Sequence, residues 1–486
     1  MTAPGRTILI LSPFDMITRN ILATDMATHL ARQPGLRSVL VTRNLKDAEA
    51  VAAHGPALAQ EPMIRFLRSP AGWRERAAEA LLAGGFGLHL VLTHRFNAVQ
   101  GFKGHQDRLA QSWALRKPAV REGLPVLRFL DKPFPRSRRL LNALLALYWK
   151  DWQRHPRAAS LFDREQPDLV VLAHCQNHFV TPYVLEALRR GVPILGVNGS
   201  WDQPTTKGPL APGIQRFLVQ SRQVAIDLER HHGVEPERCV AVGWPQMDLY
   251  ARPGTLVDRD VFLARMGLPQ GRRYILVGAY SERLGPHEPA MCRWLAEQNA
   301  QGAFGPDVTL WIRCHPNETQ AAERFGALDR RPDVVVERPG MGDLPQLANL
   351  VRHAACVVSS AGTIGLDASA LDTPSIAVAF EDPAVPFHDR PSRRYDMEHY
   401  AAVMATGGIR KVTSLEDLGA ALAAYLQDRS LDAEGRARLR AEHLEPLDGR
   451  AAERTVSEIM RALQEWASEA RSDPRGSLSK TAVEAG

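Results

Sequence analysis

Two short stretches of the sequence carry groups suited to binding a phosphate. The first is Arg313-Cys314-His315-Pro316-Asn317-Glu318, which follows an apolar run at 308–312. A histidine directly before a proline leaves such a run on a stiff turn, because proline fixes its own backbone and restricts the residue before it. His315 can donate there to a phosphate oxygen, and it is a candidate for both catalysis and phosphate binding. The second stretch is Ser359-Ser360-Ala361-Gly362-Thr363, which opens a helical pattern reaching residue 371. A helix start presents unpaired N–H groups and partial positive charge, which together hold phosphate. Ser359, Ser360 and Thr363 add hydroxyl donors, and Gly362 permits close backbone approach. A plain Ser/Thr helix cap would use the same residues, but with His315 two runs earlier the phosphate reading is favoured. Tyr280 and Ser281 give polar reach to the loop after the run at 274–278. Glu381 and Asp382 close the run at 375–380 with an acidic pair suited to sugar hydroxyls.

The first half of the chain offers a different set. In Asn198-Gly-Ser-Trp-Asp-Gln-Pro-Thr-Thr-Lys-Gly208, Trp201 can stack on a sugar or base, Asp202 can accept from hydroxyls, and Lys207 can neutralise phosphate. A packed aromatic loop with a turn-capping aspartate reads the same way. Asp15, in the loop after the first apolar run, is a candidate general base for an acceptor hydroxyl, which needs a carboxylate or histidine within hydrogen-bond reach. His94 and His174 rival it, and a helix cap before Ile17 is the plainer role. Residues 136–150 join Arg136, Arg138 and Arg139 to a leucine-rich helix ending in Tyr148-Trp149-Lys150. That combination suits a peripheral contact with anionic lipid, and equally a crossover helix packed on a sheet.

Familiar signatures are missing: Walker A, G-x-G-x-x-G, G-x-S-x-G and H-E-x-x-H do not occur. Asp258-Arg259-Asp260 reads as a helix cap rather than a metal site. His174 and His178 lack a third ligand, so no metal and no resident cofactor are expected.

These groups need elements to position them. Short β-branched runs alternate with helical patterns: 7–11, 38–42, 63–67, 88–93, 125–129, 168–173, 193–197 and 216–220 in the first half. After a weakly patterned stretch rich in Pro and Gly, the alternation restarts at 274–278, 308–312, 333–337, 356–358 and 375–379. Alternation of this kind predicts parallel strands joined by helical crossovers, hence α/β architecture with two Rossmann-like doubly wound domains facing a central cleft. The expected division is 1–245 as an acceptor domain, 246–272 as linker and 273–435 as a nucleotide-donor domain. Helices in 436–471 are expected to pack back on the first domain, and 472–486 to form a loose tail.

Composition agrees with a globular chain. Of 486 residues, 45% are hydrophobic and 23% charged, which excludes wholesale disorder and fibrous classes. The net charge of +6 is too thin for a nucleic-acid coat, so the anionic partner it suits is a small molecule or a membrane surface. Five cysteines lie far apart without a C-x-x-C pair, consistent with buried thiols in a reducing compartment. No signal peptide or bilayer-length apolar run is evident, so a cytoplasmic protein is expected, peripheral to the inner face of a membrane at most.

His-Pro after one strand, Ser-Ser before a helix and an acidic strand end resemble the nucleotide-binding half of bacterial GT-B-fold glycosyltransferases. The resemblance is to capsule and sialyltransferase-type enzymes using cytidine-activated donors, and to CDP-glycerol glycerophosphotransferases. It covers roughly 270–385, and in those families the histidine and serines contact donor phosphates, which carries over to His315, Ser359 and Ser360. The Ser-Trp-Asp stretch is similar to one in surface-carbohydrate transferases. The resemblance implies a metal-independent glycosyltransferase moving a sugar from a CMP-, CDP- or UDP-linked donor to a saccharide or lipid-linked acceptor. Two alternatives share the plan. One is a non-hydrolysing UDP-sugar 2-epimerase, whose His-Arg-x-Glu-type motif is missing here. The other is a non-catalytic nucleotide-sugar-binding protein.

Overall fold

The structure, a computed structural model, describes residues 5–43, 48–64, 72–103, 137–282, 285–316, 318–340, 343–381, 383–385 and 390–472. The chain divides into two compact units. Met1–Gln246 together with Arg450–Gly486 forms the first, and Met247–Gly449 forms the second.

The first unit is built on seven parallel strands: β1 (Arg6–Ser12), β2 (Leu36–Thr42), β3 (Leu58–Pro62), β4 (Leu169–Leu172), β5 (Ile194–Val197), β6 (Ile214–Val219) and β7 (Cys239–Ala241). Their order is β3-β2-β1-β4-β5-β6-β7. Ile8, Leu9, Ile10 and Leu11 are all completely buried, as expected of a parallel strand covered on both faces. The helix Ala451–Ser472 returns to this sheet. Ala452, Val456, Ile459 and Leu463 fall on one helical stripe and pack in the same cluster as Ile8 and Ile10.

The second unit has six parallel strands: β8 (Arg273–Gly278), β9 (Val308–Arg313), β10 (Val334–Glu337), β11 (Cys356–Ser359), β12 (Ser375–Val378) and β13 (Arg410–Val412), ordered β10-β9-β8-β11-β12-β13. Alternate residues of β8 face opposite sides. Ile275 and Val277 join one core cluster, and Tyr274 and Leu276 the other. Phe262 and Leu263, in the helix Arg259–Arg265, are buried in that second cluster. Asp258 caps this helix by accepting from the Asp260 N–H at 2.8 Å. Both sheets are doubly wound, so the α/β expectation of two parallel-sheet domains holds.

Three strand expectations fail or fall outside. The run 88–93 is not a strand but the interior of a 28-residue helix, Trp73–Gln100. The glycines at 84, 85 and 87 suggest a break there, yet the helix runs through them. Gly85 is needed for close approach, since a Cβ there would lie 2.0 Å from Gln153 Oε1. Consequently His94 ends no strand and is buried on the helix. The third strand is at Leu58–Pro62, ahead of the expected 63–67. The expected run 125–129 and the tail beyond 472 lie outside the described residues. Arg136 also lies outside them, while Arg138–Tyr148 forms a helix capped by Ser137, burying Leu141 and Tyr148 and leaving Leu140 and Leu147 exposed. Among the described residues no helix is long and apolar enough to cross a membrane.

Candidate functional site

In each open parallel sheet the strand order reverses beside the first strand, between β1 and β4 in one unit and between β8 and β11 in the other. Ligands of such sheets sit outside the carboxyl ends of the strands at this switch. The two edges differ sharply in chemistry.

At the second edge, β8 ends in Gly278-Ala279-Tyr280, β9 in Arg313-Cys314-His315 and β11 in Ser359-Ser360. The structure brings three of the predicted residues together. The Tyr280 and His315 rings stack with centroids 5.9 Å apart and planes 11° from parallel. Tyr280 also covers Gly362, where a Cβ would lie 2.6 Å from its hydroxyl. The Arg394 guanidinium lies 5.8 Å from the Tyr280 ring centroid. Ser359 is buried within the strand, pairing with Gly278 on one side and Ala377 on the other. Thr363 is exposed ahead of the helix Ile364–Ala370, and Ser281 is half-buried in the loop after Tyr280.

Ser360 is buried and engaged by residues the sequence reading missed. Its hydroxyl donates to Glu288 Oε1 at 3.1 Å, and His287 Nε2 lies 3.1 Å from the same oxygen. Glu288 is the first residue of the helix Glu288–Ala300, and its side chain folds back toward the strand ends. Its Oε2 accepts from the Tyr280 N–H at 2.9 Å. Arg324 ties the loop together, donating to the Tyr280 and Gly285 carbonyls at 2.6 Å each and lying 3.4 Å from Glu288. Burial pushes the Glu288 carboxyl up to about 7, against the opposing pull of the Tyr280 N–H, Arg324 and Ser360. Burial, with Arg394 and Arg324 nearby, pushes His287 down to about 4, so its imidazole is neutral. The one sequence cue for Glu288 was a Pro-flanked acidic residue at a helix start, Pro286-His287-Glu288-Pro289.

Glu381 stands apart from this group. It is held by Arg393 at 2.9 Å and Arg390 at 3.3 Å, and hydrogen bonds from Ser392 and Arg393 keep its carboxyl below the ordinary range. Asp382 lies outside the described residues.

At the first edge, Asp15 begins the helix Asp15–Leu22 and is exposed. His174, beyond β4, packs on Phe14 at 5.1 Å. Burial, with Lys207 adding to it and Asp202 opposing, pushes its pKa down to about 3. Asp202 accepts from the Thr206 hydroxyl at 3.0 Å and pairs with Lys207 at 3.2 Å. Trp201 is only 6% exposed. The loop thus gathers Asp202, Lys207 and His174, with the indole directed to the interior. Among the described residues no group of three or more His, Cys, Asp or Glu side chains could hold a metal ion.

Neither a family model nor a curated protein matches the sequence. Solved structures match over nearly the whole chain. S. aureus MnaA in complex with UDP shares 12% identity over 94% of this chain and 97% of its own, with a TM-score of 0.54. UDP-GlcNAc 2-epimerase of Neisseria meningitidis bound to UDP-GlcNAc shares 11% over 94% and 100%, at 0.52. A glycosyltransferase of Rickettsia africae shares 11% over 95% and 99%, at 0.50. At these identities the likeness establishes the GT-B-like fold of two parallel-sheet domains. It also corrects the expectation of a glycosyltransferase, because the likeness to UDP-GlcNAc 2-epimerases recurs, in the Neisseria enzyme and in a putative one of Listeria monocytogenes at a TM-score of 0.55. The physical reason is that donors suited to a diphosphate would be needed by either chemistry, so the His-Pro and Ser-Ser motifs do not separate the two.

Proposed function

We propose that this protein binds a UDP-linked sugar at the carboxyl edge of its second sheet and inverts the sugar at C2, as a non-hydrolysing UDP-sugar 2-epimerase. The observation that carries the reading is the convergence of Ser360, His315, Tyr280 and the Glu288–His287 pair at the strand-order switch. The fold they occupy is shared with structures bound to UDP and to UDP-GlcNAc. Inversion at C2 asks for two things: a base to remove the C2 proton, and fixed donors to hold the diphosphate while charge develops on it. The second edge supplies the donors.

The experiment is incubation with UDP-GlcNAc in deuterium oxide without any acceptor, followed by NMR of the sugar. A C2 epimer carrying deuterium at C2 is the expected product. Unaltered UDP-GlcNAc with no deuterium, despite saturable binding, would instead establish the binding-only alternative, which the missing His-Arg-x-Glu motif favours.

A further inference from the structure

Ser360 has one hydroxyl proton and two titratable neighbours. That proton goes to Glu288 Oε1 at 3.1 Å, so the His287 Nε2 at 3.1 Å must supply the N–H that meets the hydroxyl's lone pair. Ser360 is 2% and Glu288 1% exposed, so water is not there to replace a lost partner. The other carboxylate oxygen already takes the Tyr280 N–H at 2.9 Å and faces Arg324 at 3.4 Å. A phosphate oxygen arriving at the Ser359-Ser360 edge therefore competes with Glu288 for the same proton. Two anions cannot both use one donor, and in a buried place their like charges drive one of them to protonate.

We propose that His287, Ser360 and Glu288 form a proton relay beneath the phosphate-facing edge, so that a nucleotide diphosphate binds together with one proton taken up by Glu288. This rests on the nucleotide-sugar reading above. In the step, a solvent proton adds to the Glu288 carboxylate, the Ser360 O–H turns from Glu288 to a phosphate oxygen, and His287 Nε2 continues to donate to Ser360 Oγ. No bond to carbon or phosphorus changes, and the added proton offsets part of the incoming negative charge. Glu288 and His287 are positioning residues, acting on the ligand through Ser360.

The charged and titratable surroundings agree with this role. Arg324 from the helix Ala321–Phe325 and Arg394 from the turn Pro391–Asp396 both favour the ionised carboxylate. Tyr395, Cys314 and Cys292 face it as neutral groups, their ionisation suppressed by burial. Glu318 is spent on Arg324. Burial outweighs the two arginines and leaves Glu288 near 7, poised to gain a proton when an anion arrives.

The test is titration calorimetry with UDP-GlcNAc in pairs of buffers that differ in ionisation enthalpy. The diphosphate of this probe stays fully ionised, so uptake reports on the protein. Uptake approaching about one proton per nucleotide is expected near pH 8, with affinity falling about tenfold per pH unit there, and uptake should vanish toward about pH 5.5. Glu288→Gln should bind without uptake, and Ser360→Ala, which removes only a hydroxyl, should lose most of it. Binding without uptake in the wild type at high pH, or uptake that persists in Glu288→Gln, overturns the relay and leaves the nucleotide reading standing. No binding of UDP-GlcNAc at either pH overturns the nucleotide reading itself, and the relay with it.

Discussion

Replacing Glu288 with glutamine should flatten the pH dependence of stability in the second unit. Burial lifts this carboxyl from its ordinary 4.5 to about 7 in the folded chain. The folded state therefore keeps a proton that the unfolded state releases across that interval. A group raised in this way contributes stability that is complete below the unfolded value and lost as pH rises through the folded one. At ~1.4 kcal/mol per pH unit, the interval is worth about 3 kcal/mol. In a unit of roughly 200 residues, that corresponds to a shift of roughly 6–12 °C in its melting transition. Glutamine keeps one acceptor oxygen and loses the other, so the variant carries a constant offset from the lost hydrogen bond. The offset does not depend on pH; the slope does. The assay is calorimetric melting of both proteins between about pH 4.5 and 8, taking the difference at each pH. Wild type should be favoured at the acid end and lose that advantage by about 3 kcal/mol toward pH 8. Parallel curves would refute the claim that Glu288 titrates near neutrality.

The loop around this carboxylate allows two further measurements. Arg324 is 7% exposed and meets Glu288 and Glu318, themselves 1% and 3% exposed, so Arg324→Ala strands two buried carboxylates. It should cost about 3–5 kcal/mol in denaturant unfolding, more at pH 8 than at pH 5, where Glu288 holds its proton; an equal loss at both pH values would contradict the assignment. Gly362→Ala places a Cβ 2.6 Å from the Tyr280 hydroxyl and 3.0 Å from its ring. It should cost about 1–3 kcal/mol through displacement of that ring from His315, and the cost should disappear in a Tyr280→Ala background. Additive costs in the double mutant would show that the two residues do not touch.

The sheets were legible because a parallel strand covered on both faces is nearly continuously apolar and β-branched, and 7–11, 308–312 and 356–358 are, with Thr7 and Thr309 the only polar members. The same rule misread 88–93, since Leu88, Leu90, Val91 and Leu92 make a short apolar run that reads alike in a strand and inside a long helix, where only Leu92 of the run is buried. Tyr280, His315 and Ser360 were legible because each follows an apolar run, where a strand must end. His287, Glu288, Arg324 and Arg394 were not, for a reason of distance. Glu288 matters through the backbone of Tyr280, eight residues earlier, and the hydroxyl of Ser360, 72 residues later. No local pattern encodes those partners.

The same limit explains the transferase expectation. The His-Pro and Ser-Ser motifs that suggested transfer lie where a diphosphate would be held, and holding a diphosphate serves transfer from a UDP-sugar and its C2 inversion alike. Donors that stabilise the leaving group report how charge is received; they say nothing about what meets the carbon it leaves. A base for the C2 proton would be a carboxylate or a histidine, residue types that also start helices and fill cores, as Asp15, exposed at a helix start, and His174, kept neutral by burial, illustrate. Neither stands in a spacing that separates a base from a cap. Discriminating the two chemistries therefore falls to the fate of the C2 proton, the one atom that inversion must exchange and transfer must leave in place.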